Sequence, residues 1–263
     1  MVQNPLQILV TNDDSYKSKG IMAVAEILSS YGNVTVVAPE EVQSGMSAAL
    51  TLTRPLRLKK ISEKISSNGT SINVYAFTGT PADCVKIAMN EFFLERRPDM
   101  LVSGINHGSN ASVASIYSGT LGAAAEGAIY SVPSIGVSID THNPDADLSG
   151  VEKHLPPIIE NFIANPPAKG VYLNINFPKG GVSAIRGIRF AKQGDGMWIK
   201  EFEKRVDPHG REYYWMSGHF LDTETNPKGD HKMVEEGYVT IVPHNINTTN
   251  YSEMQRLDEC WKL

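Results

Sequence analysis

The stretch Gln7-Ile8-Leu9-Val10-Thr11-Asn12-Asp13-Asp14 decides the fold of this chain. Its first part is a short, mostly apolar run that is typical of a buried strand. The run leads directly into an amide and two adjacent carboxylates. In an open α/β sheet, ligands bind at the carboxyl ends of the strands, so this stretch predicts both a sheet of that kind and a candidate site.

Up to about residue 165, short apolar runs alternate with amphipathic segments, which predicts βαβ units and a mostly parallel sheet. The clearest helix start is Thr80-Pro81-Ala82-Asp83, with an N-cap threonine, a proline at the first helical position and an acid in the first turn. The predicted strands are 7–11, 34–38, 56–58, 72–76, 100–103 and 134–139, and the predicted helices are 20–31, 81–94, 119–130 and 151–165.

From Val171 the pattern changes, because four predicted strands follow with little helix between them, at 171–176, 185–190, 213–216 and 238–242. The polar segments 192–212 and 218–235 are long for structureless loops, so we interpret them as hairpin arms or partner-binding elements. Residues 251–262 predict a short terminal helix.

The composition excludes several classes of protein. The 263 residues carry 24 Lys+Arg against 29 Asp+Glu, and this net charge of −5 argues against a stable complex with nucleic acid. Apolar runs are too short for a membrane span, and no secretory signal is visible, so we expect a cytoplasmic protein. Two distant cysteines, Cys84 and Cys260, exclude a disulfide framework and a cysteine zinc site.

Two adjacent carboxylates repel each other unless a cation or a proton intervenes, so Asp13 and Asp14 predict a hard divalent metal bound through oxygen. Ser44 and Asn106 follow other predicted strands and would complete an oxygen-only ligand set, which with water suits Mg²⁺ or Mn²⁺. The alternative is that Asp13 caps the next helix while Asp14 is solvated, and that the serine and the asparagine are ordinary turn residues.

Ser118-Gly119-Thr120 opens an alanine-rich helix. Ser118 is a plain N-cap in one interpretation. In the other, the exposed backbone N–H groups, the hydroxyls and the positive end of the helix dipole bind phosphate. Neither nucleotide-binding glycine fingerprint is present, so the phosphate would belong to a substrate.

At this point the motifs resemble those of the SurE family, the survival-protein-E nucleoside monophosphate phosphatases. The resemblance is dense over about 8–140 and weaker afterwards, where Asn174-Ile175-Asn176 and Glu236-Gly237-Tyr238-Val239 still fit. The motifs that carry it are Thr11-Asn12-Asp13-Asp14, Ala38-Pro39 with Ser44-Gly45, Thr78-Gly79-Thr80-Pro81 with Asp83, Val102-Ser103-Gly104-Ile105-Asn106, and Tyr117-Ser118-Gly119-Thr120.

The resemblance implies a Rossmann-like α/β fold, with a mostly parallel sheet flanked by helices and a C-terminal β-rich extension of hairpin arms used in oligomerisation. It implies one domain over 1–263, with the active site in a core of about 1–180 and the oligomerisation region at about 181–263. The implied assembly is a homodimer or homotetramer. Where the family often has glycine, this chain has Ser15, which could restrict the turn.

The implied activity is that of a 5′-nucleotidase, a divalent-metal-dependent phosphatase that hydrolyses nucleoside 5′- and 3′-monophosphates; some members also act on short polyphosphate. The family's metal ligands fall on Asp13, Asp14, Ser44 and Asn106, for one Mg²⁺ or Mn²⁺ per subunit.

In our hypothesis for the mechanism, Asp13 or Asp14 orients or deprotonates the attacking water, and an aspartyl-phosphate on Asp13 is the alternative. Asn110 and residues 118–120 would hold phosphoryl oxygens, and Asn12 would steady the carboxylates. His107 is either an acid for the leaving oxygen or a solvated loop histidine. His231 either reaches an active site from a neighbouring subunit or is exposed, and we interpret it as exposed.

A different class of function is a nucleotide- or phosphate-binding regulatory module without turnover. The paired aspartates favour the enzyme, because a pure phosphate binder gains nothing from negative charge beside a dianion unless a cation bridges them.

Overall fold

The computed structural model describes residues 5–66 and 69–261, so Lys262 of the predicted terminal helix and both ends of the predicted domain lie outside it. The strands are β1 (Leu6–Thr11), β2 (Gly32–Pro39), β3 (Leu58–Ile65), β4 (Ser71–Phe77), β5 (Met100–His107), β6 (Ser134–Ile139), β7 (Val171–Phe177), β8 (Gly187–Phe190), β9 (Gly196–Ile199), β10 (Phe202–Val206), β11 (Glu212–Met216), β12 (His219–Asp222) and β13 (Tyr238–Asn245). The helices are α1 (Lys19–Ser29), α2 (Pro81–Glu91), α3 (Ala114–Tyr117), α4 (Gly119–Ile129), α5 (Ser149–Ala164), α6 (Asp230–Glu235) and α7 (Tyr251–Cys260).

Nine of the strands form one sheet in the order β3-β4-β2-β1-β5-β6-β7-β13-β8. The six strands from β4 to β7 are parallel to one another, whereas β3 and β13 run antiparallel to their neighbours β4 and β7. The predicted α/β class with a mostly parallel sheet is therefore confirmed.

Helices cover both faces of this sheet, and β1 shows how the sequence specifies the two faces. Ile8 and Val10 point into a core with α1 and α5, whereas Leu9 between them points into a second core with α2 and α4. Cys84 of α2 is fully buried in the second core, where it packs among apolar side chains.

The start of α2 is the one that the sequence predicts. The Thr80 hydroxyl accepts a hydrogen bond from the Asp83 amide at 3.1 Å, and the Asp83 carboxylate accepts one from the Thr80 amide at 3.0 Å. Such a reciprocal pair satisfies two N–H groups that a helix start leaves without partners. Thr80 Oγ1 also donates to the carbonyl of Ala49, so the cap holds the loop after β2 as well.

Two strand predictions were wrong in extent. β5 was predicted to end at Ser103, but it continues to His107 through an irregularity in its pairing with β6, so Asn106 lies on a strand and not in a loop. The glycine at position 104, which led to the loop prediction, lies at this irregularity. β3 spans Leu58–Ile65 and not residues 56–58, because its side chains are mostly exposed and carry little apolar signal.

The long polar segments after β8 do form hairpin arms. β9 pairs with β12 and β10 pairs with β11, both antiparallel, which confirms the predicted C-terminal β-rich extension. The rest of the C-terminal region is not separate from the core, since β8 and β13 belong to the main sheet. None of the helices in the described part of the chain has the length and apolar character needed to cross a bilayer.

We expect Thr80→Ala to lower the free energy of unfolding by about 1–2 kcal/mol, because it removes a helix cap and the bond to Ala49. Asn250→Ala is the matched control. Asn250 caps α7 in the same way, but α7 contains no buried residue, so its loss should change global stability by less than about 0.5 kcal/mol. Urea unfolding followed by circular dichroism measures both, and equal losses would contradict this account.

Candidate metal and phosphate site

The sheet topology creates a crevice beside β1. From β1 the chain builds outwards through β2 and β4 on one side, and then through β5, β6 and β7 on the other. Strand order therefore reverses between β1 and β5, and such a switch point is where open α/β sheets bind ligands. Asp13 and Asp14 directly follow β1, and Asn106 and His107 end β5.

Three segments meet at Asp13, which is only 4 % exposed. Thr120 Oγ1, in the first turn of α4, donates to Asp13 Oδ1 at 2.7 Å. The amide of Gln43, in the loop after β2, donates to the Asp13 carbonyl at 2.8 Å. Gly119 permits this approach, because a Cβ there would lie 3.1 Å from Asp13 Cβ.

Burial raises the pKa of Asp13 from 3.8 to about 6. The hydrogen bond from Thr120 opposes this shift, and the neighbouring charge of Asp14 adds to it. The ionised form is thus unfavourable as the site stands. A bound cation would relieve both causes, because it replaces lost hydration and screens the second carboxylate.

Asp14 is held from β5. Its Oδ2 accepts a hydrogen bond from the His107 amide at 3.0 Å and lies 3.1 Å from His107 Nδ1. The His107 side chain is 9 % exposed, and its Nε2 is buried without a hydrogen-bond partner in the part of the chain that the structure describes. The interpretation of His107 as a solvated loop histidine was therefore wrong, because the longer β5 carries it against Asp14.

The other two predicted ligands differ in how closely the structure holds them. Asn106 is buried, and its Nδ2 donates to the Gly108 carbonyl at 2.6 Å, so Oδ1 is the atom that it could offer to a cation. Ser44 is exposed and follows Gln43, the residue whose amide contacts Asp13. Ser44 makes no hydrogen bond to Asp13 or Asp14 among the described residues.

The predicted phosphate-binding residues at the start of α4 are partly occupied by the protein itself. Ser118 is the N-cap and accepts a hydrogen bond from the Leu121 amide, as the plain interpretation predicts. Thr120 uses its hydroxyl on Asp13. The start of α4 therefore borders the aspartates directly, and its assignment to phosphate stays a prediction.

Asn110 and Asn12 lie inside polar networks. The Asn110 amide donates to Asn176 Oδ1, its side chain donates to Ser138 Oγ, and its carbonyl accepts from Asn174 Nδ2, at 2.8, 2.8 and 2.9 Å. The fully buried Asn12 donates from its side chain to the Ser15 carbonyl and to Ser18 Oγ. Asn12 thereby fixes the turn between β1 and α1.

Asn174 and Asn176 are the supporting residues that sequence reasoning missed. They occupy alternate positions of β7, both are fully buried, and Asn176 Nδ2 donates to Asn174 Oδ1 at 2.9 Å. Their signal was present in the sequence, because two asparagines two residues apart in a buried strand need polar partners on one face of the sheet.

Ser15 takes the role that a glycine would fill in the turn after the aspartates. Its φ is +79°, in the left-handed region that glycine adopts most readily, and its Oγ donates to the Glu40 carbonyl at 3.1 Å. The substitution is thus accommodated, and it adds a contact between this turn and the end of β2.

The residues at the crevice fit a hard divalent cation. Nowhere in the described ranges do three His, Cys, Asp or Glu side chains gather as a metal cluster. A cation here would therefore bind two carboxylates together with amide and hydroxyl oxygens and water. This donor set is typical of Mg²⁺ or Mn²⁺ and lacks the nitrogen and sulfur ligands usual for Zn²⁺.

Comparisons with known proteins identify what this chain is similar to. The model of the family described as Survival protein SurE matches residues 8–200. The chain is 42 % identical to a protein of Christiangramia forsetii and 40 % identical to one of Cytophaga hutchinsonii, each named 5′-nucleotidase SurE; the alignments cover 97 % of this chain and 96 % and 97 % of those proteins. The crystal structure of the SurE protein from Aquifex aeolicus superposes with a TM-score of 0.80 at 33 % identity, over 96 % of this chain and 98 % of that one.

The raised pKa of Asp13 predicts a pH-dependent effect of Asp13→Asn on the chelator-treated protein. The folded state holds this proton more tightly than the unfolded chain does, so the wild type loses stability as the pH rises from about 4 through about 6. Asparagine has no proton to lose and can still accept the bond from Thr120. Relative to wild type, the variant should therefore gain up to about 3 kcal/mol between pH 4 and pH 8.

Urea unfolding in EDTA at several pH values measures this difference. A stability difference between variant and wild type that does not change with pH would contradict the raised pKa.

Proposed function

This chain belongs to the SurE family, and on that premise we propose that it is a nucleotidase that hydrolyses nucleoside 5′- and 3′-monophosphates, and short polyphosphate, with the help of a divalent cation. One observation carries the proposal. Two adjacent carboxylates lie at the switch point of the sheet, and the N-terminus of α4 contacts one of them directly. This arrangement supports binding of a cation and of a phosphate dianion side by side.

The residues that would hold the cation are Asp13, Asp14, Ser44 and Asn106, and we propose one Mg²⁺ or Mn²⁺ per subunit. When bound, such a cation neutralises phosphate charge and favours a loose phosphoryl-transfer transition state. The backbone of residues 118–120 and Asn110 would orient the phosphoryl oxygens, and Asn12 would keep the turn that carries both aspartates in place.

We propose that Asp13 or Asp14 orients or deprotonates the attacking water. Asp14 is held by the His107 amide and imidazole, which suits a fixed ligand. An aspartyl-phosphate on Asp13 is the competing route, and rapid acid quench with ³²P-labelled AMP would detect it as labelled protein.

Space for the nucleoside adjoins both sides of the candidate site. A cavity of about 540 Å³ borders Asp14 and His107, and a groove of about 740 Å³ borders Ser118. Both volumes lie in the range of small-molecule sites.

We also propose that the protein acts in the cytoplasm as a homodimer or homotetramer assembled through its hairpin arms.

The arms support that assembly because many of their apolar side chains are exposed. The surface of a monomer rarely carries so many exposed apolar side chains together. Nine apolar residues of the arms are between 39 % and 74 % exposed, namely Met197, Trp198, Phe202, Val206, Tyr213, Tyr214, Trp215, Met216 and Leu221.

We expect the protein to release inorganic phosphate from AMP in the presence of Mn²⁺, and EDTA to abolish the reaction. Asp13→Ala combined with Asp14→Ala should lower kcat/KM by at least roughly 1,000-fold, because both the cation ligands and the base are removed. Asp258→Ala combined with Glu259→Ala, on the exposed helix α7, is the matched control and should retain activity. A malachite-green assay over a panel of nucleotides, polyphosphate and metals measures all of this.

Saturable AMP binding by the wild type without phosphate release would contradict the enzyme and select the regulatory module.

We expect light scattering at micromolar concentration to give the mass of a dimer or tetramer. Tyr214→Ser combined with Met216→Ser should shift the mass toward the monomer, because both side chains lie on one face of β11 and would bury apolar area on assembly. Leu52→Ser is the control, because Leu52 lies outside the arms and is 85 % exposed, more than either Tyr214 or Met216. A monomeric wild type would refute the proposed assembly.

A further inference from the structure

Asp230, the first residue of α6, is a fully buried carboxylate that lies outside the residues discussed above. Its Oδ1 accepts hydrogen bonds from the amides of Ser112, Gly194 and His231 at 3.0, 2.9 and 2.9 Å. Its Oδ2 accepts a second bond from the Ser112 amide at 3.1 Å. Every one of these donors is a backbone N–H group.

No lysine or arginine of the described chain forms an ion pair with Asp230. Among the described residues, the His231 imidazole is its ion-pair partner, with Nδ1 3.8 Å from Asp230 Oδ1, and the charge of Asp230 also acts on the His244 imidazole. His231 was interpreted as exposed, which was wrong, because its side chain is only 12 % exposed and its Nε2 lies 3.0 Å from Asp222 Oδ1. Burying a carboxylate without a cationic side chain beside it costs free energy. The hydrogen bonds that Asp230 accepts from the backbone amides must offset that cost.

Those amides belong to two segments that are far apart along the chain. Ser112 has a left-handed φ of +56°, and its Oγ donates to the Gly194 carbonyl at 2.8 Å. Gly194 leaves no room for a side chain, because a Cβ there would overlap the His231 ring. The carboxylate and the serine hydroxyl together therefore join Ser112 to Gly194 by four hydrogen bonds.

Ser112 lies in the connection of residues 108–118, which includes the short helix α3. We name this connection the phosphate-side loop because it runs from β5 past Asn110 to Ser118. The network of Asn174, Asn176 and Ser138 holds this loop at Asn110. Asp230 holds it two residues further on, before the chain reaches the start of α4.

Gly194 lies at the base of the hairpin formed by β9 and β12. The same base is fixed by Lys192, whose Nζ lies 2.7 Å from Glu224 Oε2, and by Glu224, which accepts a hydrogen bond from the Asp195 amide at 3.0 Å. The phosphate-side loop is thus tied through one carboxylate to the base of an arm.

From these contacts we propose that Asp230 is a positioning residue for the reaction. It sets the phosphate-side loop in the conformation that binds the phosphoryl group, and it couples this loop to the base of the β9–β12 hairpin. This inference rests on the proposed nucleotidase function. It assigns Asp230 no contact with substrate, and it predicts that the cation ligands are unaffected.

The test is Asp230→Asn, which keeps the size of the side chain. It replaces one of the two carboxylate oxygens, which accept hydrogen bonds from buried amides, with an NH₂ group that can only donate. We expect KM for AMP and the inhibition constant of inorganic phosphate to rise, and kcat/KM to fall roughly 10- to 100-fold. The dissociation constant of Mn²⁺, measured by electron paramagnetic resonance without substrate, should stay within about twofold of wild type. Amide hydrogen exchange should accelerate in peptides covering residues 108–118.

Asp222→Asn is the matched control. Asp222 contacts His231 and Lys232 near the same helix but makes no contact with the phosphate-side loop, so its substitution should leave the loop's exchange rates and KM unchanged. Wild-type kinetics and wild-type exchange in Asp230→Asn would overturn the proposal. So would a loss of Mn²⁺ affinity equal to the loss of kcat/KM, because the effect would then act through the cation ligands.

If Asp230→Asn does not fold, Ser112→Ala carries the test, since it removes only the hydroxyl bond to Gly194. It should raise KM in the same direction by a smaller factor and accelerate exchange over the same residues, and no change in either would refute the proposal. Hydrogen exchange does not depend on turnover. A wild type without phosphate release would refute the nucleotidase, whereas altered exchange in the variants would still support the coupling.

Discussion

The burial of Asp13 beside Asp14 is the constraint on which the rest of the site depends. A carboxylate that is 4 % exposed and adjacent to a second carboxylate cannot ionise cheaply, and its pKa rises accordingly. The hydroxyl and the backbone of Thr120 in α4 donate hydrogen bonds to this carboxylate, and no cationic side chain of the described chain forms an ion pair with it. A cation from outside the chain would supply the missing positive charge, and through it the site would suit an anionic substrate.

The segments that surround Asp13 and Asp14 can come together because their backbones approach each other closely. A Cβ at Gly122 would overlap the Ser47 carbonyl, and one at Gly20 would overlap the Ile105 carbonyl. These glycines let α4 reach the loop after β2 and let α1 reach β5. Asp83 reinforces the first contact, because it accepts a hydrogen bond from the Thr51 amide while it completes the cap of α2. The loop that carries Ser44 is therefore held by two helices whose starts the sequence specifies.

The sequence predicted the parallel sheet, because the apolar runs around residues 8, 36, 102 and 137 are strong and alternate with amphipathic segments. It also predicted that Asp13 lies at a strand end. It did not predict the extension of β5 to His107, since glycine normally ends a strand and here only interrupts its pairing. Nor did it predict the partners of Asn110, or those of Asp230 at Ser112 and Gly194, because these contacts join residues 28 to 118 positions apart and leave no local pattern.

Buried polar side chains lie in the part of the sheet that forms the candidate site, whereas the apolar core that stabilises the fold lies elsewhere in the same strands. In β7 the amides come late, at Asn174 and Asn176, and in β5 the amide comes at Asn106, next to the last residue. Each lies toward the carboxyl end of its strand, where burial of polar groups costs stability unless every group is paired. The apolar remainder of the same strands supplies the core that offsets this cost. Because these hydrogen bonds are buried, loss of an anchor such as Asp230 would let the phosphate-side loop open more often, and its groups would then occupy the binding position less of the time.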